Sequence, residues 1–250
     1  MIELFRQTHE GIVDLKERRR LGKDISHHGT GALAMLKNSP EMTLYDYTRL
    51  MVSHSDNMAT DMIIDEVGLH NINPTLEKLG YQNTRVNMTM SQWHYVISGL
   101  SHLEQTPENN EYVHQRLVIG DQDFDGLAYT NSLDNNVTTP RDIASIMKRL
   151  HFGEIVSPSA ASAMLKMLKG CTSNDMLPLF LRDDVVVAHK IGISSRIKVD
   201  TGLVYLPSGP LVISALALAD SDVDTGRESI AEIARIAVAA LAPECLKANI

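Results

Sequence analysis

TLYDYTRLMVSHSDNMATDMIIDEVG (residues 43–68) carries two helices and the break between them. Thr43, with Asp46 three positions on, is a helix start, because the Thr hydroxyl can accept from the amide of the first turn. Leu44, Tyr47, Leu50 and Met51 then recur at helical spacing and define one apolar face. Ser55-Asp56-Asn57 interrupts that period, and all three residue types cap helices. A second helix is predicted from about Asn57 to Val67, closed by Gly68. Upstream, Met1 to Glu10 reads as an amphipathic helix, with Ile2, Phe5 and His9 on one face and Gly11 as its stop. No capping residue precedes it, so its true first turn is expected to lie further upstream.

The helical texture continues well past the middle. A short helix ends at Gly80, and another is expected from Gln92 to Leu103. Glu104 to Asn110, polar and containing Pro107, reads as a loop. Thr139-Pro140-Arg141-Asp142 starts a helix, with a cap, Pro at the first position and an acid in the first turn. Ser157-Pro158 starts another, which ends at Gly170. The texture then changes. Asp184–His189, Val199–Leu206 and Leu211–Ala219 are β-rich, and Pro207-Ser208-Gly209 joins the last two as a hairpin. Thr225 and Glu228 suggest a capping box ahead of an amphipathic helix, Ile230–Leu241. A helical region followed by an antiparallel sheet with a helix packed on it is an α+β pattern.

Composition narrows the function classes. The chain has 250 residues, 44% hydrophobic and 22% charged, which is ordinary for a globular protein with a sizeable core. Its net charge is -8, with no basic stripe, which argues against a nucleic-acid partner. The one basic run, Lys16 to Arg20, reads as a solvated helix end. Cys171 and Cys245 define neither a disulfide framework nor a metal spacing, and two reduced core thiols account for them. The apolar run Leu211–Ala219 falls short of the roughly 20 residues of a transmembrane helix, and no signal peptide opens the chain. Asp121-Gln122-Asp123-Phe124-Asp125-Gly126 matches the first half of a calcium loop, but Ser132 stands where its bidentate Glu belongs. The string therefore reads as a polar surface loop, with a calcium-dependent module as its rival.

Three segments carry the chemistry: Ser55-Asp56-Asn57 between two helices, Thr138-Thr139-Pro140-Arg141-Asp142 at a helix start, and His189-Lys190-Ile191-Gly192 at the end of a strand. In this order they resemble the class A β-lactamases and penicillin-binding serine hydrolases, whose signatures are S-x-x-K, S-D-N and K-T-G. The resemblance extends over residues 43–68, 136–150 and 185–219 and leaves out about 90–133, which reads as an insert. It implies a single catalytic domain over residues 1–250, β-lactamase/transpeptidase-like, with a helical lobe to about 183 and the sheet and C-terminal helix beyond. It also implies acyl-enzyme hydrolysis of a β-lactam or a D-alanyl (peptidoglycan) peptide, and an exported protein. No metal or organic cofactor is implied.

By the same resemblance Ser55 relays a proton to the leaving nitrogen, a task for a hydroxyl that both donates and accepts. Lys190 is a fixed positive charge beside it. Asn57 sets its amide against the substrate, and Asp56 holds the turn. Gly192 admits substrate to the strand edge, and the Ile193 N–H is the oxyanion donor. His54 and His189 are expected to be packing or hydrogen-bonding neighbours. The spatial expectation is that Ser55 and Lys190, distant in the chain, face one crevice.

The match departs from the family in three places. The S-x-x-K nucleophile is expected a few residues before Met1, because Met1 to Gln7 resembles the residues that come directly after that motif in the family. Ser145-Ile146-Met147-Lys148 and Ser195-Arg196-Ile197-Lys198 fit the string at the rate chance allows, and the second puts its ends on opposite faces of a strand. No Glu followed by Leu-Asn marks a deacylation base between Met88 and Val137, and Glu104, Glu108 and Glu111 are the substitutes on offer. Ile191 replaces the Thr of K-T-G, leaving Arg196 or Lys198 to hold a substrate carboxylate. An N-terminally truncated chain is expected to have three sheet strands, an open edge and so a route to a homodimer. The rival to the enzyme is a non-catalytic pseudoenzyme that binds a cell-wall peptide or a protein partner.

Overall fold

The fold is that of a computed structural model, which describes residues 1–23, 25, 29–218 and 223–248. Contacts divide the chain at Thr139–Pro140 into two units. That division falls before the change of texture at residue 184, so two more helices belong with the sheet than the sequence grouping has.

In the first unit, α1 spans Ile2–His9, α2 Leu44–Ser53, α3 Asn57–Val67, α4 Leu69–Lys78, α5 Met90–Ile97 and α6 Pro107–Val118. The break in residues 43–68 is as the sequence predicts: Thr43 Oγ1 accepts from the Asp46 amide, and Asp56 accepts from that of Ala59. Leu4, Leu44, Tyr47, Met58, Ala59, Met62 and Ile63 form the core that α1, α2 and α3 share. Asp61 reaches from α3 to the start of α5, its carboxylate accepting from Met90 N at 2.6 Å and Ser91 N at 2.9 Å.

Two expectations fail in this unit. Lys16 to Arg20 is not a helix end: Arg18–Arg20 is a strand, β1, paired antiparallel with β2, Glu41–Thr43. Its charges are met across the pair and beyond, Arg20 by Glu41 and Arg19 by Glu17 and Glu66. Glu104–Asn110 is a loop only as far as Thr106. Thr106 caps α6 by accepting from Asn109 N, and Pro107 takes the first helical position, where its missing N–H costs nothing. The preceding helix stops at Ile97 instead of Leu103.

In the second unit, α7 spans Pro140–His151, α8 Pro158–Leu168, β3 Val187–Ile193, β4 Ile197–Leu206, β5 Gly209–Leu218 and α9 Val223–Leu241. The strands form an antiparallel sheet in the order β3-β4-β5, with Gly192 opposite Val199 and Ile191 opposite Asp200. Among the described residues no further strand pairs with the outer edge of β3 or β5. One face carries Val204, Leu206, Ile213 and Ala215 against Ile230, Ala234 and Val238 of α9. The opposite face carries Tyr205, which meets His151 of α7 at 6.3 Å and lies 4.3 Å beneath the Lys169 ammonium just past α8.

Here too the boundaries move. β3 starts at Val187, three residues later than the apolar run, and runs through Ile193, so Lys190 lies mid-strand. β5 is described to Leu218; Ala219 lies outside the described residues. α9 starts at Val223, so Thr225 and Glu228 sit inside the helix and form no capping box at its start. Gly226 packs closely there, because a Cβ would come 3.0 Å from Lys198 Cγ.

Candidate active site

Ser55, Asp56 and Asn57 lie together where α2 gives way to α3. Two amides, His54 N and Asp56 N, share the Leu50 carbonyl at 3.1 and 3.2 Å, a reversal that needs one left-handed residue between them. Ser55 takes that conformation, at φ 53°. A residue with a Cβ spends about 1 kcal/mol there, where Gly spends none. The half-buried Ser55 side chain is thus presented from a strained backbone.

Beneath it Asp56 is fully buried. One carboxylate oxygen accepts from Ala59 N at 2.9 Å and the other from Leu33 N at 2.8 Å. The segment through Gly31 is therefore strapped to the turn, and Asn57 N donates to the Thr30 carbonyl at 2.9 Å. Gly31 has φ 132°, and a Cβ on it would lie 2.3 Å from Asp56 Oδ2, so only Gly fits. The amide orientation that satisfies the network turns the Asn57 nitrogen to the Ser55 carbonyl and its oxygen to Thr30 N, each at 3.2 Å. The same amide end lies 3.5 Å from His94 Nε2 of α5. His54 is exposed and its ring meets Ser53 Oγ at 2.8 Å, as a hydrogen-bonding neighbour.

In the second unit Lys190, Gly192 and Ile193 lie on β3, and Arg196 lies in the bend to β4. Lys190 is half-buried and donates to its neighbour's carbonyl, Ile191 O, at 2.6 Å. Burial pulls its ammonium below the usual lysine value, against the opposing charges of Cys171 and Asp200. Gly192 has a structural reason as well: a Cβ there would meet Val199 Cγ2 at 2.6 Å. The side chain of Ile191 packs into the core on the α9 face. Lys198 is buried, and its ammonium is held by the Ser194 and Ser195 carbonyls of the same bend. It therefore ties down the turn, which corrects the expectation that it could hold a substrate carboxylate.

A cluster behind β3 has no counterpart among the residues expected from the sequence. His189 is 2% exposed, and its Nδ1 lies 2.8 Å from Oδ1 of the fully buried Asp200. Asp200 Oδ2 accepts from Leu177 N at 3.0 Å. The half-buried thiol of Cys171 is coupled electrostatically to the same imidazole. Burial opposes a charge on His189, but its bonds to Asp200 and Cys171 outweigh burial and lift it to about 9. Burial likewise works against the Cys171 thiolate. The bond and charge of His189, the Ser173 amide and the Lys190 charge overcome it, and the thiol falls below its ordinary value. The one signal in the sequence is an acid inside the apolar run Ile197–Leu206, because a buried carboxylate must find partners.

Glu104, Glu108 and Glu111 are all exposed in the first unit. Among the described residues no three His, Cys, Asp or Glu side chains gather as metal ligands, and Asp121 of the calcium-like string pairs with Arg116 at 3.0 Å.

Helices on both faces of an antiparallel sheet, preceded by a helical unit with an S-D-N turn, define an α+β fold of the β-lactamase and transpeptidase kind. The chain belongs to the beta-lactamase enzyme family, whose model matches residues 1–241. A beta-lactamase from Sphaerobacter thermophilus is 25% identical at a TM-score of 0.74, with 96% of this chain and 78% of that one covered. The structure of PBP-A is 26% identical at 0.72, covering 96% and 76%. A beta-lactamase from Chitinophaga pinensis shares the fold at 20% identity and a TM-score of 0.74, covering 96% and 81%. No curated protein matches the chain. Among the described residues no helix is long and apolar enough to cross a membrane.

Proposed function

We propose that the chain is a serine hydrolase that works by acyl-enzyme chemistry on a β-lactam or a D-alanyl peptide, outside the cytoplasmic membrane. The observation that carries this reading is the left-handed backbone of Ser55, set over a fully bonded Asp56. Strain kept at a position where Gly would relieve it points to a use for the side chain. Ser55 passes a proton to the leaving nitrogen, Lys190 supplies positive charge to the same reaction, and Asn57 orients the substrate amide. The Ile193 N–H stabilises the oxyanion, Gly192 keeps the strand edge open to substrate, and Arg196 meets the substrate carboxylate. A mutant of PBP-A, 26% identical to this chain, is known as an acyl-enzyme complex with penicillin G, which supports this substrate class.

Neither internal S-x-x-K string supplies the nucleophile in this reading: Lys198 is tied to the bend carbonyls, and Ser145 and Lys148 lie on α7. The test is acylation by a labelled penicillin, read by intact mass, on this chain and on a form extended upstream through a Ser-x-x-Lys. Adduct on the serine of the extended form, lost in Ser55→Ala and Lys190→Ala, supports the proposal, and adduct on no serine of either form overturns it. A second reading, a pseudoenzyme that binds a cell-wall peptide or a protein partner, is favoured by Ile191. That residue removes a hydroxyl and turns its side chain into the core.

A further inference from the structure

Thr89 opens α5 with a capping box: its hydroxyl accepts from Gln92 N, and the Gln92 side chain accepts from Thr89 N. The two amides between them, Met90 N and Ser91 N, donate to Asp61 of α3. The first turn of α5 is thus clamped to α3. Ser91, His94 and Tyr95 follow at helical spacing on the buried face of α5. His94 falls one turn past the clamp, 7% exposed, with the Trp93 ring 5.9 Å from its own. Its Nε2 comes 3.5 Å from the side-chain amide of Asn57, which is itself buried at the start of α3. Every group in this arrangement belongs to the first unit.

Hydrolysis of an acyl-enzyme needs a group that takes a proton from water. The other acid–base groups described at this turn are held or turned away. Asp56 and Asp61 bond backbone amides with both carboxylate oxygens. His54 is exposed and its ring meets Ser53, and Glu104, Glu108 and Glu111 are exposed. His94 differs from all of these in placing a titratable ring atom against Asn57, the residue assigned above to the substrate amide.

We propose that His94 is the catalytic base of the hydrolytic half-reaction, taking the proton of the water that attacks the acyl-serine. The inference rests on the reading above, in which an upstream serine is acylated, and it supplies the base that the missing Glu-Leu-Asn string leaves open. With its proton on Nδ1, the ring offers the Nε2 lone pair toward Asn57, and an imidazole both takes and returns a proton near neutral pH. The water oxygen bonds to the ester carbonyl carbon while one of its protons passes to Nε2, and the carbonyl electron pair moves to oxygen. That pair then returns and the bond from carbon to the serine oxygen breaks. The serine oxygen takes the proton back from His94, and the carboxylic acid leaves with the imidazole neutral again. The step needs no oxidant, reductant or metal.

The test compares the extended form with its His94→Gln variant. Each is mixed with labelled penicillin, and the gain and loss of the adduct on the serine are followed by intact mass. The variant should acquire the adduct at close to the unaltered rate and shed it about a hundredfold more slowly, the scale of lost general acid–base help. A role confined to supporting Asn57 would instead slow acquisition as much as loss, and that result overturns the proposal. Adduct shed equally fast by both forms overturns this inference alone, whereas no adduct on the unaltered extended form overturns the reading beneath it as well. Should the variant fail to fold, the unaltered extended form decides by NMR. The assigned His94 ring signals should move when the serine is acylated, and ring signals that acylation leaves in place overturn the proposal.

Discussion

Nδ1 of His189 lies 2.8 Å from Oδ1 of Asp200, with neither side chain more than 2% exposed. Asp200 holds the imidazolium more strongly than the neutral ring, so the pair contributes most while His189 is protonated. Burial favours the neutral imidazole, and the bonds to Asp200 and Cys171 reverse that preference and raise it from 6.5 to about 9. A raised histidine contributes stability that is fully present below 6.5 and is lost as pH rises through about 9. Cys171 runs the other way, contributing above the ordinary thiol value and losing that as pH falls through its lowered one. The imidazole should titrate near 9 by NMR and fall to 6.5 or below in Asp200→Asn. The substitution should cost about 3 kcal/mol at neutral pH and less above pH 9, where His189 has already lost its proton. A penalty that grows with pH in urea titrations would contradict this.

Ser55 separates stability from function. Ser55→Ala keeps the left-handed backbone and its strain, whereas Ser55→Gly relieves it. The glycine variant should be more stable than the alanine variant by up to about 1 kcal/mol, the difference reduced by glycine's greater chain entropy. Both should lose acylation in the extended form, because both lack the hydroxyl. Paired thermal melts and penicillin labelling check this, and equal melting points would mean that the backbone at residue 55 is not strained.

The strap through Gly31 is the tightest backbone approach to this turn. Gly31→Ala places a Cβ against Asp56 and forces an L residue to φ 132°. The loop must lift, and Leu33 N then loses its acceptor. A loss of about 2–3 kcal/mol is expected, with Asp56→Ala at least as costly, since it also uncaps α3. The double variant should cost clearly less than the sum, because both substitutions break the same contact.

Much of this is legible in the sequence because helix caps are local. Thr43, Asp56 and Ser157 each bond an amide three residues on, and each stands out as a cap from its neighbours alone. Pro107 misleads for the same local reason: it ends a helix or begins one, and Thr106 ahead of it is the deciding sign. The arginine run is strand β1 because its partner, Glu41–Thr43, comes only after an intervening loop. The Cys171–His189–Asp200 cluster needs three stretches that no local period connects, and its only trace in the sequence is an acid in an apolar strand. Lys198, at one end of a chance S-x-x-K string, is a buried turn anchor, a role set by the bend and by Gly226 of α9.

The strand that carries Lys190 gives the last prediction. Gly192 reads as an opening for substrate, but Val199 across the pair already excludes a Cβ, with only 2.6 Å to its Cγ2. The two explanations separate by a cycle. If packing alone requires the glycine, Gly192→Ala costs about 1–3 kcal/mol, and Val199→Ala in the same chain restores most of it by removing the clashing methyl. Acylation of the extended form should then recover with stability. If substrate also needs the space, the double variant regains its melting point while penicillin labelling stays low. The proposed site requires the second outcome, since it assigns the open edge at Gly192 to the substrate. Full recovery of both quantities would assign that glycine to the sheet alone.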